Sequence, residues 1–490
     1  MFRYIKYSSL CSLIALALLF SCSKDLGNYD YKDINEIQIT GLDSTYVSLF
    51  GEPIKIIPEL DFSQDSEGAD SNYTYEWFAI NQDLSTLNTD KRTDIVNTRN
   101  LDLESLLLPP GNYDINYNVT DTNTGVQWHK TFTLIVESSI QKGLMVLNDV
   151  QGKARLDMIS LVNEEYNPIY DVLDYTGSSL RLEGAPINVA CYAYDYQFYG
   201  VYVNTTGNGT TKIHPESFDW DNTYRLSFEM LTNVPTDYGA DFIEPVEGLQ
   251  SFMYKDGDVF YYYRTRSIRY GVPINFIEAD NAKFNAAPFI GYGDVTVLYD
   301  VDKKRFVRFT EGGSVSFEMP TGDLFDYNTG KDLIYMAKSS YNGGEVFAIL
   351  KDPADAKFYL ARIRSRRNIR QQYYGEIPDE VALQMDQADQ FAISPDFGYI
   401  FYNVGGKVYE YDFNSQKSKL MIDKGAGNIT VLQFERYAPY SKDLIVGSYD
   451  SGTTEGTIEV YKVPAVNGDL ELSQSYSGFG KVVSVAYKTE

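Results

Sequence analysis

The stretch from Phe391 to Phe413, FAISPDFGYIFYNVGGKVYEYDF, decides the fold. Three runs of aromatic and β-branched residues are separated by a Ser-Pro-Asp-Phe-Gly turn and a Gly-Gly turn, the punctuation that folds consecutive strands back on one another. Such a meander is most of one propeller blade. Related units stand at FMYKDGDVFYYYR (252–264), VTVLYDVDKKRFVRF (295–309) and DLIVGSYDSGTTEGTIEVYKV (443–463), and no long amphipathic helical period interrupts the chain after Lys142. This region holds roughly 350 residues, too many for one sandwich, and about 45 to 50 residues per four-stranded blade gives about seven blades. The sequence predicts a β-propeller-like domain over 140–490, with a pair of stacked jelly rolls as the main structural alternative.

Upstream, residues 35–139 hold shorter alternating segments: EIQIT, TYVSL, IKIIPEL, YTYEWF, YDINYNVT and WHKTFTLIV. Their spacing predicts a small antiparallel sandwich of immunoglobulin type. Trp77 stands where such sandwiches bury a Trp in a central strand, although the two flanking Cys of antibody domains are absent. The fold class is therefore all-β.

The N-terminus reads MFRYIKYSSLCSLIALALLFSC, with positive charge at Arg3 and Lys6, an apolar run from about Leu10 to Phe20, and then Ser21 and Cys22. The apolar run is shorter than the roughly 20 residues of a spanning helix, and a small residue before Cys suits cleavage and thioether lipidation. We expect a lipoprotein signal peptide at 1–21, lipid attachment at Cys22 and a tether over 22–34.

The 490 residues carry 68 Asp and Glu against 42 Lys and Arg, a formal charge of −26. Removing residues 1–21 takes away Arg3 and Lys6 and no carboxylate, so the charge becomes −28. A field of that sign repels phosphate backbones and anionic headgroups, which argues against a nucleic-acid partner and makes the anchor lipid rather than electrostatic. The chain has 42 Tyr and 27 Phe but only 2 His. Scarce imidazole favours binding over chemistry.

The stretch LPPGNYDINYNVTDTNTG, Leu108 to Gly125, resembles the proline-glycine-tyrosine and Val-Thr-Asp signature of PKD and PKD-like domains, in which Tyr113 is core and Asp121 caps the following turn. With the lipobox, the sandwich and the propeller-like region, the chain resembles the PKD-like lipoproteins of Bacteroides-type bacteria. Ser23-Lys24-Asp25 is similar to the Lys-acid signals that send such lipoproteins to the outside of the outer membrane. The resemblance implies a cell-surface accessory protein that binds nutrient oligomers, oligosaccharide or peptide, for a SusC/SusD-type TonB-dependent transporter.

Catalytic motifs are sparse. His129 and His214 lack a His or Cys at metal-ligand spacing, Cys191 sits in the apolar run INVACYAYDY and reads as a small buried hydrophobe, and HExxH, GxSxG and Walker loops are absent. No metal or other cofactor is expected, and no enzyme activity. Paired carboxylates, as in propeller glycosidases, stay open as one alternative, with Asp195, Asp219, Asp221 and Asp300 as candidates that read more simply as turn caps or solvated loop charges, and a non-binding scaffold of the transport complex is the other. Asp300 and Asp302 lack the full spacing of a calcium loop.

Aromatic clusters carry the binding expectation. In YAYDYQFYGVY, Tyr192, Tyr194, Tyr196 and Phe198 alternate on one strand face, and in VFYYYR Tyr261 and Tyr263 share a face opposite Tyr262. The loop KIHPESFDWDNTY carries Phe218, Trp220 and Tyr224 among polar residues. Rings with hydroxyl edges suit sugar faces and peptide side chains alike, while blade packing explains most of them individually. RIRSRRNIR, Arg362 to Arg370, reverses the sign of the protein and predicts a strand whose Arg face pairs with carboxylates of a neighbouring strand.

Overall fold

A computed structural model describes residues 34–489 except 66, 85–90, 163, 194–198, 248, 367, 437 and 438. The expected signal peptide, Cys22 and the expected tether up to residue 33 lie outside the described residues. Compact units divide between Glu137 and Ser138, and each has its own core. Among the described residues no helix is long and apolar enough to cross a membrane.

The first unit is built on a five-stranded sheet in the order Thr45–Leu49, Gln127–Glu137, Gly111–Asp121, Tyr73–Asn81, Arg92–Val96, antiparallel except for the first pair. Two short pairs, Ile37–Thr40 with Glu59–Phe62 and Ile54–Ile56 with Leu101–Leu103, accompany it. Strict alternation drives the packing: Tyr73, Tyr75, Trp77 and Ala79 point inward from one strand, and Tyr113, Ile115, Tyr117 and Val119 from its neighbour. Trp77 is fully buried, stacks on Tyr117 with centroids 4.1 Å apart, and donates its indole N–H to the Thr98 carbonyl at 2.8 Å. Tyr113 is core, with its hydroxyl donating to the Pro109 carbonyl at 2.8 Å, and Asp121 caps its turn by accepting from the Asn123 and Thr124 backbones.

Among the described residues, the second unit contains seven sheets. Blade 1 joins Gly143–Val150, Lys153–Val162 and Glu165–Ile169 to the last strand of the chain, Lys481–Lys488, which takes its innermost position. Blades 2 to 4 begin their regular hairpins at Pro186, Phe242 and Val295, and blades 5 to 7 are four-stranded meanders beginning at Asp332, Phe391 and Asn428. In blade 4 the innermost place is taken by residues 286–291, bridged to the next strand at Ala286–Asp300 and Gly291–Val297. The decisive stretch Phe391–Phe413 forms the first three strands of blade 6.

Packing closes the ring. Strands inside a propeller have apolar neighbours on both faces, so they read as continuous apolar runs such as VFAIL within Glu345–Lys351. Each adjacent pair of blades shares one buried cluster, and the seventh joins blade 7 to blade 1 through Ile445, Ile458, Leu144, Val482 and Val485. The domain is a closed seven-bladed propeller.

Candidate functional site

Where innermost strands converge on a propeller axis they leave a channel that side chains must line. At the end reached by the C-termini of these strands, the channel widens into an open cavity of about 1320 Å³. Blades 3 to 7 contribute most of its wall, largely through their innermost strands and the turns that follow, with Phe252 and Tyr261 of blade 3 and Ser365 of blade 5 added from strands farther out. Rings alternate with charges: Phe289, Tyr292, Tyr335 and Phe434 stand beside Glu244, Asp294, Lys338, Glu435 and Arg436.

Glu244 sits in the middle of the innermost strand of blade 3, Phe242–Val246. Burial pushes its carboxyl up to about 7, with Arg436 drawing it partly back. Glu435 and Arg436 follow the innermost strand of blade 7, Asn428–Phe434. Burial likewise raises Glu435 to about 7; the Tyr487 and Arg436 backbones and the Gln433 amide stabilise its charge, while Glu244 opposes it. The Gln433 amide reaches the Glu435 carboxylate at 2.8 Å. Arg436 donates to the Pro245 carbonyl and lies over the Tyr292 ring, 4.4 Å from its centroid.

On the blade 5 wall, Lys338 donates to the Ser365 hydroxyl at 3.2 Å and the Tyr292 carbonyl at 3.3 Å. Burial lowers its pKa, Glu247 and Asp294 raise it, and Arg366 and Arg436 lower it further. Tyr335 is fixed by stacking on Phe391, with Phe289 meeting it edge-on. The cavity thus offers flat apolar faces, two carboxyls that ionise near neutrality and several cations, a surface suited to a polar oligomer with its own charges.

The residues singled out from sequence are dispersed. Tyr192 lies in the core between blades 2 and 3, stacked on Tyr202 and accepting from Arg264 at 3.1 Å. Beneath it is a buried charge network: Lys212 and Glu229, 1% and 3% exposed, are 2.7 Å apart, and the Tyr202 hydroxyl donates to Glu229 at 2.8 Å. Tyr192 therefore presents no surface to a ligand. Tyr194, Tyr196, Phe198 and Asp195 lie outside the described residues. Phe218 is fully buried between blades 1 and 2, where the turn bonding the Phe218 amide to the His214 carbonyl directs it inward. Trp220 is half-buried against the same cluster, with its indole donating to Thr211 at 2.9 Å, and Tyr224 is half-buried with Lys212 5.6 Å from its ring.

Tyr261 and Tyr263 do share a face, between blades 3 and 4, and Tyr262 packs on the other side against Tyr270. Of the candidates within the described residues, Tyr261 is the one that lines the cavity. Trp220 and Tyr192 belong to different inter-blade clusters. Asp300 pairs with Arg305 at 3.0 Å and caps the backbones of Asp302 and Lys303, and Asp221 caps Thr223. His129 and Asp219 are exposed. His214 accepts from the Glu216 and Ser217 backbones, and Cys191 is buried with its thiol pKa pushed up by desolvation. Among the described residues no group of three His, Cys, Asp or Glu could hold a metal ion. In the Arg-rich stretch, Arg362 pairs with Glu345 of the adjacent strand at 2.8 Å, and Arg364 and Arg366 bond the Asn342 and Gly343 carbonyls.

Glu244, Lys338, Glu435 and Arg436 were missed from sequence. Their signal was a charge inside or directly ending an apolar strand, as in FIEPV and VLQFER.

Residues 22–186 match the model of the PKD-like family, covering the sandwich and the first three strands of blade 1. No curated protein matches the chain. Among solved structures, the chain is similar to a quinonprotein alcohol dehydrogenase-like protein from Bacteroides thetaiotaomicron VPI-5482, at 12% identity and a TM-score of 0.43 over 91% of this chain and 96% of the other. It is also similar to a DUF4784 family protein from Bacteroides caccae ATCC 43185, at 8% identity and a TM-score of 0.27 over 93% and 100%. The WD40 domain of SCAP from fission yeast aligns at 7% identity and a TM-score of 0.30 over 60% and 74%.

Proposed function

We propose that this chain is a binding protein of the cell surface, tethered through a lipid on Cys22, that holds a nutrient oligomer in the mouth of its propeller channel for a SusC/SusD-type transporter. The observation that carries the binding reading is the cavity itself. It is large, open and lined by rings and charges of both signs. Tethering raises the effective concentration of captured ligand at the membrane without demanding high affinity. Calorimetric titration of the mature chain with panels of oligosaccharides and oligopeptides tests the reading: Tyr292→Ala and Arg436→Ala are each expected to weaken the binding of whichever ligand is taken, and a chain that binds neither panel refutes it. For the anchor, Cys22→Ala is expected to change the mature mass and release the protein from the membrane fraction; unchanged values would refute lipidation.

A second reading is favoured by the two carboxyls near 7, Glu244 and Glu435, since general acid–base hydrolysis needs a carboxyl that holds its proton at neutral pH. Turnover of a panel member, abolished by Glu244→Gln or Glu435→Gln, would replace binding with hydrolysis.

A further inference from the structure

Resting on the reading that the channel binds a ligand, we propose that it recognises an ammonium group, and that its ligand is a short oligopeptide held by its free amino terminus. The starting point is Glu244. It is half-buried in the cavity wall, yet no described residue donates a hydrogen bond to its carboxylate, and its electrostatic partner Arg436 donates to the Pro245 carbonyl and lies over the Tyr292 ring. A carboxylate placed so carries the cost of desolvation with little recovered in hydrogen bonds.

Glu435 faces the same space, and the two carboxyls raise each other's cost of ionising. A guest ammonium removes that cost. It brings three N–H donors and one positive charge, so it satisfies both carboxylates and takes the place of the proton they otherwise retain. Tyr292 and Tyr335 add aromatic faces to the same wall.

The opposite sign is present in the same cavity. Lys338, Arg366, Arg436 and Lys442 line it together with the carboxyls. A peptide carries a carboxylate at its other end and spans about 3.3 Å per residue when extended, so two to four residues cover roughly 7 to 13 Å, a length that such a cavity admits. An oligomer of amino sugars offers the ammonium but no carboxylate for the cationic wall, and a neutral glycan offers neither. The peptide is therefore the class that meets both halves.

The test is retention by the full mature chain at pH 7 of four mixtures, read by native mass spectrometry and calorimetry: random tripeptides, the same tripeptides N-acetylated, glucosamine trimer and maltotriose. Free tripeptides should bind and N-acetylation should weaken them at least tenfold. Glu244→Gln and Glu435→Gln should each reproduce that loss, while Glu410→Gln, a buried carboxyl outside the channel lining, should leave binding unchanged, with melting curves confirming that each variant is folded. Equal retention of free and acetylated peptides, or retention of the sugars alone, would overturn the proposal while leaving the channel a binding site. If all four mixtures pass through, the binding reading fails with it. The acetylation arm needs no variant, so misfolding cannot mask the result.

Discussion

Arg362 shows how a charge becomes a packing element. Its guanidinium lies within 4.4 Å of the Phe413 ring centroid and about 5 Å from those of Tyr341 and Phe347, while Nε donates to Glu345, which is fully buried. Asn342 satisfies the other Glu345 oxygen at 2.6 Å. The planar cation can sit among rings because it presents its face to their negative quadrupoles and its edge to a carboxylate. Removing it leaves a buried carboxylate without its charge partner, a loss of about 3 to 5 kcal/mol. Arg362→Ala should therefore lower the urea midpoint sharply. The double change Arg362→Met with Glu345→Leu removes both charges at similar volume and should recover most of that loss. If the double variant is no more stable than the single, the ion pair is not what Arg362 contributes.

At the scale of elements, one strand decides whether the propeller is a ring. Lys481–Lys488 pairs with Gly143–Val150 and contributes Val482, Val485 and Tyr487 to the cluster between blades 7 and 1. Ending the chain at Phe479 exposes Leu144 and Val146 and leaves an unpaired edge, which invites association with other chains. We expect the truncated chain to lose cooperative unfolding of the propeller and to aggregate on mild heating. The sandwich, whose core is drawn wholly from its own residues, should retain the buried Trp77 emission; a soluble, cooperatively melting truncation would contradict closure by this strand. The sequence made such elements legible where turns are explicit: Ser394 to Gly398 and Gly405-Gly406 fixed three strands of blade 6 at their observed places. Blades 2 to 4 were harder, because part of their edge is irregular chain held by isolated bridges such as Thr211–Arg225 and Gly291–Val297. The cavity was not legible at all. Its residues come from different blades, and Arg436 meets Pro245 across 191 positions, a juxtaposition that only ring closure creates. The aromatic excess misled for the same reason: alternate tyrosines on a strand face another blade as readily as a ligand, and Tyr192 faces blade 3.

For the whole molecule, buried carboxyls set how stability follows pH. Glu244, Glu410 and Glu435 are each raised from 4.5 to about 7, chiefly by burial. A carboxyl whose folded pKa lies above its unfolded value keeps its proton longer in the native state. The folded protein then binds more protons than the unfolded chain between those values, so stability falls as pH rises from about 4.5 to 7 and stays low above. For Glu410, with Oε2 unsatisfied among the described residues, the loss is on the order of 2 to 3 kcal/mol. The net charge of −26 adds self-repulsion in the same direction. Opposing it, Asp280, Asp352 and Asp412 are lowered by their partners and contribute stability above pH 3.8 that is lost as acid protonates them. The melting temperature should therefore peak near pH 5 and decline toward pH 8. Glu410→Gln should melt higher than the parent at pH 8 and equal to it at pH 4.5, since the amide never has to ionise. A scan across pH 4 to 9 at constant salt checks both statements: a flat profile from pH 5 to 8, or a Glu410→Gln gain of equal size at both ends, would show that these carboxyls ionise without cost in the folded protein.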